Sequence, residues 1–259
     1  MTRKRRALLP LLFAILLSAP LLRGATFTVT TSAETGAGSL RAAVDQAALS
    51  SGTDQIVFDP AVFNGEPGDV IQVSSRIIVN DPTGLVSINA LAIPEGVVVS
   101  GRGLNRVFDF QSSPGALLRG LTIEGGFNAQ NGGAVLVTGT ARLEDCTIRN
   151  SIAGANGGGF HSTGTLTLER CTLHAADGSL VMNQCTLSTN AAQSGGGVAL
   201  RVSAAGTFRF CTVAGNTAST GGGGVFLQST GNCTMESCVT AGNAAPAGPD
   251  IQKISGMLG

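Results

Sequence analysis

Ala141-Arg-Leu-Glu-Asp-Cys-Thr-Ile148 returns as Leu166-Thr-Leu-Glu-Arg-Cys-Thr-Leu173, Leu180-Val-Met-Asn-Gln-Cys-Thr-Leu187, Gly206-Thr-Phe-Arg-Phe-Cys-Thr-Val213 and Cys233-Thr-Met-Glu-Ser-Cys-Val-Thr240. Ala116-Leu-Leu-Arg-Gly-Leu-Thr-Ile123 carries the same template. Apolar or small residues hold its first, third, sixth and eighth positions. Period-two alternation with one phase shift describes a strand that bends and continues. The sixth position is Leu121, Cys146, Cys171, Cys185, Cys211 and Cys238, in steps of 25, 25, 14, 26 and 27 residues. Glycine blocks lie between the repeats at Gly132-Gly133, Gly157 to Gly159, Gly195 to Gly197 and Gly221 to Gly224.

Repeats of 20–50 residues mark solenoids or propellers. A propeller blade needs four strands and about 40 residues, so this unit is too short. A leucine-rich repeat needs a helical return that the glycine blocks cannot supply. One coil of a right-handed parallel β-helix fits, and the fold class is read as all-β. Successive coils lie about 4.8 Å apart, so equivalent residues form columns. Leu121 and the five cysteines are expected to point inward as one such ladder. Corners require left-handed backbone, which Gly and Asn tolerate. Asn190, Asn216 and Asn243 lie five residues after the key cysteine and Asn150 four after it. All four are expected to form a corner ladder of side-chain amides. The 14-residue step is too short for a full coil at about 3.3 Å per residue. Residues 166–173 and 180–187 are therefore expected to form an antiparallel hairpin, or else a distorted, incomplete coil.

Upstream, Thr26 to Thr30 reads as a strand, and Leu40, Ala43, Val44 and Ala47 form an apolar stripe at helical spacing behind an N-cap, Ser39. Asp54 to Pro60 reads as a buried strand. Strands are expected near 70–73, 76–79, 97–100 and 107–110. Residues 1–24 combine the basic run Arg3-Lys-Arg-Arg6 with the apolar stretch Ala7 to Leu22, the pattern of a secretory signal peptide. Residues 25–68 form the expected N-terminal cap, and 69–259 the coils, irregular near 171–185. Loss of residues 1–24 would leave 11 basic against 16 acidic side chains, a net charge of −5. That balance does not suit nucleic-acid binding.

The run Thr35 to Ala47, with Asp54-Gln-Ile-Val-Phe-Asp-Pro60, resembles the N-terminal region of bacterial surface proteins built from right-handed β-helix repeats. These are similar to the polymorphic outer-membrane protein repeat group, whose units carry Gly-Gly-Ala/Gly and Asn-containing turns, as Gly132-Gly133-Ala134 does here. Ala247-Gly-Pro-Asp-Ile251 resembles the segment that closes an array in that group. The likeness spans residues 25–251. It implies an exported cell-surface, outer-membrane or extracellular protein with an adhesin-like or structural role, meeting surface glycans or proteins. Relatives of that kind continue into further repeats and a sorting segment, so a shortened member of the group is a further reading.

The chemistry-bearing residues are sparse. Six cysteines in an exported chain raise the question of disulfides, with Cys171 and Cys185 the best pair, but inward core positions are the favoured reading. No Cys-x-x-Cys occurs, and no cofactor or metal is expected. Parallel β-helices also include polysaccharide lyases and hydrolases, which need clustered carboxylates. The repeats offer Glu124, Glu144, Asp145, Glu169, Asp177, Glu236 and Asp250 with no Asp-Asp pair, and His161 and His174 have no nucleophile at motif spacing. Non-catalytic binding is the expected function; a pectin-degrading type of enzyme is the alternative.

Overall fold

The computed structural model describes residues 24–66, 69–111, 114–153, 159–173, 176–188, 191–202 and 204–258; for 176–179, 191–192, 201–202 and 255–258 it describes the backbone alone. The expected signal peptide therefore lies outside the described residues, apart from Gly24. The strands stack into a 14-stranded sheet, an eight-stranded sheet and two two-stranded sheets. Their pairing is parallel, coil upon coil: Ala116–Arg119, Thr140–Glu144 and Phe160–Glu169 follow one another in register. The chain is a parallel β-solenoid.

Each regular coil turns from the long sheet into the eight-stranded one through a single residue with positive φ. Gly120 (67°), Asp145 (54°), Arg170 (50°), Gln184 (54°), Phe210 (53°) and Ser237 (52°) occupy that corner. One left-handed residue reverses the pleat, so the apolar residues on both sides of the bend face the same interior. That accounts for the phase shift in the template. The interior columns are Val86, Ala116, Ala141, Leu166, Leu180, Gly206 and Cys233, and beside them Ile88, Leu118, Leu143, Leu168, Met182, Phe208 and Met235. Gly206 is required within its column: a Cβ there would stand 2.7 Å from both the Leu200 and Phe208 side chains.

The 14-residue step is not an antiparallel hairpin. Leu166 pairs with Leu180 and Leu168 with Met182 in parallel register, and Thr172 pairs with Thr186. The coil closes because two residues join Thr172–Leu173 to Ala176–Asn183, omitting the third side of the cross-section. The other expectation, an incomplete coil, describes this step: its strands follow their neighbours in parallel register, with only residues 174–175 between Leu173 and Ala176. Omission of the third side splits that side into two separate pairs, Phe127–Asn128 with Ile152–Ala153 and Ala191–Ser194 with Thr217–Gly221.

At the N-terminal end, Thr26–Val29 and Asp54–Phe58 continue the long sheet, and the helix Leu40–Ala47 packs against both. Leu40, Ala43, Val44 and Ala47 are buried, closing the core. The Ser39 hydroxyl accepts a hydrogen bond from the Ala42 N–H at 3.2 Å, satisfying one of the first-turn donors that a helix leaves orphaned. Ser39→Ala is expected to reduce stability by about 1 kcal/mol. Urea denaturation measures this; an unchanged midpoint would contradict the cap's contribution.

Candidate functional site

The sixth-position residues form one column at the start of the eight-stranded sheet, since Thr122, Thr147, Thr172, Thr186, Thr212 and Val239 immediately after them are successive register partners. Leu121, Cys146, Cys171, Cys185 and Cys211 are each 1% exposed, and Cys238 is partly exposed. All six cysteines are free thiols. Cys171 and Cys185 are stacked neighbours in this column; they do not face each other across a hairpin. Sγ of Cys171 lies 3.4 Å from the Leu143 carbonyl and that of Cys185 3.6 Å from the Leu168 carbonyl. The hydrogen bond to the preceding thiol in the stack, with burial adding to it, pushes Cys171 and Cys185 up to about 12. Thiols so held are poor nucleophiles at neutral pH.

Among the corner asparagines, the structure brings Asn216 and Asn243 together. Asn216 donates from its main-chain N–H and from Nδ2 to Asn243 Oδ1, at 2.9 and 2.8 Å, and from Nδ2 to the Leu187 carbonyl. Asn243 Nδ2 donates to the Val213 carbonyl and to Asp250 Oδ1, so the Asp250 carboxylate ends the ladder. Asn190 lies outside the described residues. Asn150 does not join: it is exposed, with φ 53°, and fills the left-handed place held by Gly125, Gly215 and Gly242 in other coils. The ladder position of that coil belongs to Ser151, whose hydroxyl accepts from the Gly126 N–H at 3.0 Å. The one-residue difference in spacing after the cysteine was the signal.

On the outer face, Arg119, Glu144, Glu169, Asn183, Arg209 and Glu236 form a single column. Arg119 and Arg142 both bind Glu144, at 2.7 and 2.5 Å, and Arg142 also reaches Glu169 at 2.8 Å. Arg170 pairs with Asp145, Arg149 with Glu124 and Arg209 with Glu236. Burial alone would raise the Glu144 carboxyl, but hydrogen bonds from its two arginines hold it below the usual carboxylate range. The hydrogen bond from Arg170 does the same for Asp145. These carboxylates stay ionised, the opposite of what a general acid needs. His161 faces outward between Leu136 and the Asp177 backbone. The Asp177 side chain and His174 lie outside what is described. No group of three or more His, Cys, Asp or Glu suited to a metal ion occurs among the described residues.

A groove of about 430 Å³ opens where the early coils are irregular, lined by Ser75, Arg76, Ile78, Leu104, Arg106 and Phe127 among others. Beneath it, Asp109 sits 5% exposed on the outward side of Phe108–Phe110. Two guanidiniums converge on its Oδ2, Arg76 Nε at 3.2 Å and Arg106 Nη1 at 3.5 Å, while Oδ1 has no protein partner. Arg106 is buried and donates to the Gly132 and Asn131 carbonyls at 2.9 and 2.7 Å. Burial lowers this guanidinium from its ordinary value, Asp109 opposing and Arg76 adding. Arg76 is 51% exposed. The groove wall is tied to the N-terminal cap: Arg41 donates to the Ser75 and Arg76 carbonyls, Glu34 accepts from Ser74, and Asn105 Nδ2 donates to the Ser74 carbonyl. The template does not include these residues; an arginine next to an expected strand was the one sequence signal, and the exposure of Phe127 is visible only in the structure.

Fold and columns together define a repeat protein of the β-helix class. A family model described as a right-handed β-helix region matches residues 107–248, more than half of the chain, and the chain belongs to that family. No curated protein matches it.

Two outcomes follow from the columns. Asn243→Ala strands the Asn216 N–H and the Val213 carbonyl and is expected to cost about 1–3 kcal/mol. Asn150→Gly, at an exposed left-handed corner, is expected to stay within about 1 kcal/mol of the parent; equal losses in chemical denaturation would contradict the ladder. The buried thiols make stability depend on alkaline pH. Unfolded cysteine titrates near 8.5, while Cys171 and Cys185 hold their protons to about 12. The folded chain then binds protons that the unfolded chain has lost, so stability is whole below about pH 8.5 and falls as pH rises toward 12. Denaturation midpoints at neutral pH and near pH 10 test this: the fall should be shallower in Cys185→Ala, and an equal slope would refute it.

Proposed function

We propose that this chain is an exported, non-catalytic surface protein, adhesin-like or structural, that presents the outer face of its β-helix to glycans or proteins. The basic and apolar run of residues 1–24 supports export, and the resemblance of residues 25–251 supports a bacterial surface protein of the polymorphic outer-membrane repeat kind. No helix among the described residues is long and apolar enough to cross a membrane.

One observation carries the binding reading: the outer carboxylates of the repeats are paired with arginines of the same or neighbouring coils, as Glu144 is with Arg119 and Arg142. Such a face is charged but internally neutralised, a surface for many weak contacts. A polysaccharide lyase or hydrolase is the second reading. Its support is the outward column that carries Asp109, Leu136 and His161 in successive coils, with the Asp177 backbone next in register.

Incubation of the purified chain with acidic and neutral polysaccharides, with and without calcium, separates the two. Saturable binding with unchanged polymer length is expected. Depolymerisation that is lost in His161→Ala would replace the proposal with the enzyme.

A further inference from the structure

We infer that the groove beside Arg76 is a binding site for a small organic carboxylate carried on a compact apolar body. The inference rests on reading the outer face as a binding surface, and it names the ligand chemistry of one place on that face. Charge comes first. Two arginines share the single Asp109 carboxylate, leaving one positive charge in excess, and of the two only Arg76 is exposed. Arg76 makes its shortest contact with Asp109 through Nε, and Asp109 Oδ1 takes no hydrogen bond from it, so the end-on edge formed by its two terminal nitrogens is not consumed by that pairing. A guanidinium with both terminal nitrogens open matches a carboxylate in bidentate fashion.

The remaining lining decides what the carboxylate is attached to. Ile78, Leu104 and Phe127 are exposed by 41%, 59% and 39% and all border the groove. Ile152, 65% exposed, is the register partner of Phe127 and extends the apolar rim. Such a cluster offers contact area to an aliphatic or aromatic body. Part of the polar lining is already engaged: Asn105 Nδ2 donates to the Ser74 carbonyl, and Asn128 Oδ1 accepts from the Gln130 N–H. A polyhydroxylated sugar would leave the exposed Ile78, Leu104 and Phe127 without apolar contact, whereas an apolar acid uses both them and Arg76. The volume of about 430 Å³ lies in the range of small-molecule sites. The wall needs no assembly on binding, since Arg41, Glu34 and Asn105 hold residues 74–76 in place.

The same chemistry occurs at the C-terminus of a peptide and in a free organic acid. Titration of the isotope-labelled chain followed by NMR separates them, with N-acetyl-leucine, N-acetyl-leucinamide, phenylacetate and a galacturonate trimer as probes. N-acetyl-leucine and phenylacetate should both shift groove resonances saturably, with dissociation constants of about 1 mM, as suits ligands of this size. The amide should bind at least about tenfold more weakly. Tighter binding of N-acetyl-leucine assigns a peptide terminus, and tighter binding of phenylacetate a free acid. Arg76→Gln should abolish the preference for acid over amide, Arg76→Lys should retain only part of it, since an ammonium keeps the charge and loses the bidentate fork, and Phe127→Ala should weaken every apolar probe; dispersed spectra check that each variant is folded. Equal binding of acid and amide, no saturation by about 20 mM, or binding of the galacturonate trimer alone would overturn the inference. If acid and amide bind the groove alike while the parent chain still binds polysaccharide or protein elsewhere on the face, this inference fails and the wider reading stands. Loss of all binding by the parent chain removes both.

Discussion

Parallel, in-register stacking is the constraint on which the rest of this molecule depends. Main-chain hydrogen bonds run along the solenoid axis, so each residue has its equivalent in the next coil as a neighbour about 4.8 Å away. A position in the repeat therefore becomes a column with one chemistry. The thiols are one column, and Asn216, Asn243 and the terminating Asp250 are another. The outward run Arg119, Glu144, Glu169, Asn183, Arg209 and Glu236 is the third. Each column obeys its own rule: an inward one must be apolar, and the asparagine column must pair its amides. An outward one that sets Glu144 beside Glu169 must draw a counter-charge from the adjacent column, here Arg142.

Repetition is what makes such a fold legible. The eight-residue template contained the corner, because one residue in the left-handed region shifts the phase of the alternation by one. The helix was legible separately, from the stripe Leu40, Ala43, Val44 and Ala47 with Ser39 before it. What the template did not contain was connectivity at the shortened coil. Fourteen residues allowed either a hairpin or an incomplete coil, and the parallel register of Leu166 with Leu180 and of Thr172 with Thr186 selects the incomplete coil. Asn150 was assigned to the wrong column because residue type was weighed above spacing; Ser151 has the right spacing and a hydroxyl that can accept. The strand Val86–Asn89 went unread because it follows Asp81-Pro-Thr-Gly84 outside the template, and only its register with Ala116–Arg119 identifies it.

Function follows the same division between regular and irregular coils. Where coils repeat, charges from neighbouring strands meet and neutralise one another, leaving a face without a free acid or base among the ion-paired carboxylates described. Where they do not repeat, near residues 74–78 and 101–106, the columns break down. Two arginines then meet one aspartate, and apolar side chains reach solvent without a stacked neighbour on both sides. The groove is thus a product of broken periodicity, which explains why a reading based on repeats passed over it. Its residues are held by the cap, so the N-terminal region both closes the core and shapes the most chemically distinct place on the surface.

The continuity of the stack through the shortened coil is the claim from which the columns, the corner ladder and the outer face all derive. Amide-to-amide contacts in an NMR spectrum test it most directly. The account predicts contacts of Thr172 with Thr186, their partners in parallel register. Contacts of Thr172 with Val181 instead would show an antiparallel hairpin, break every column at this point, and contradict the account.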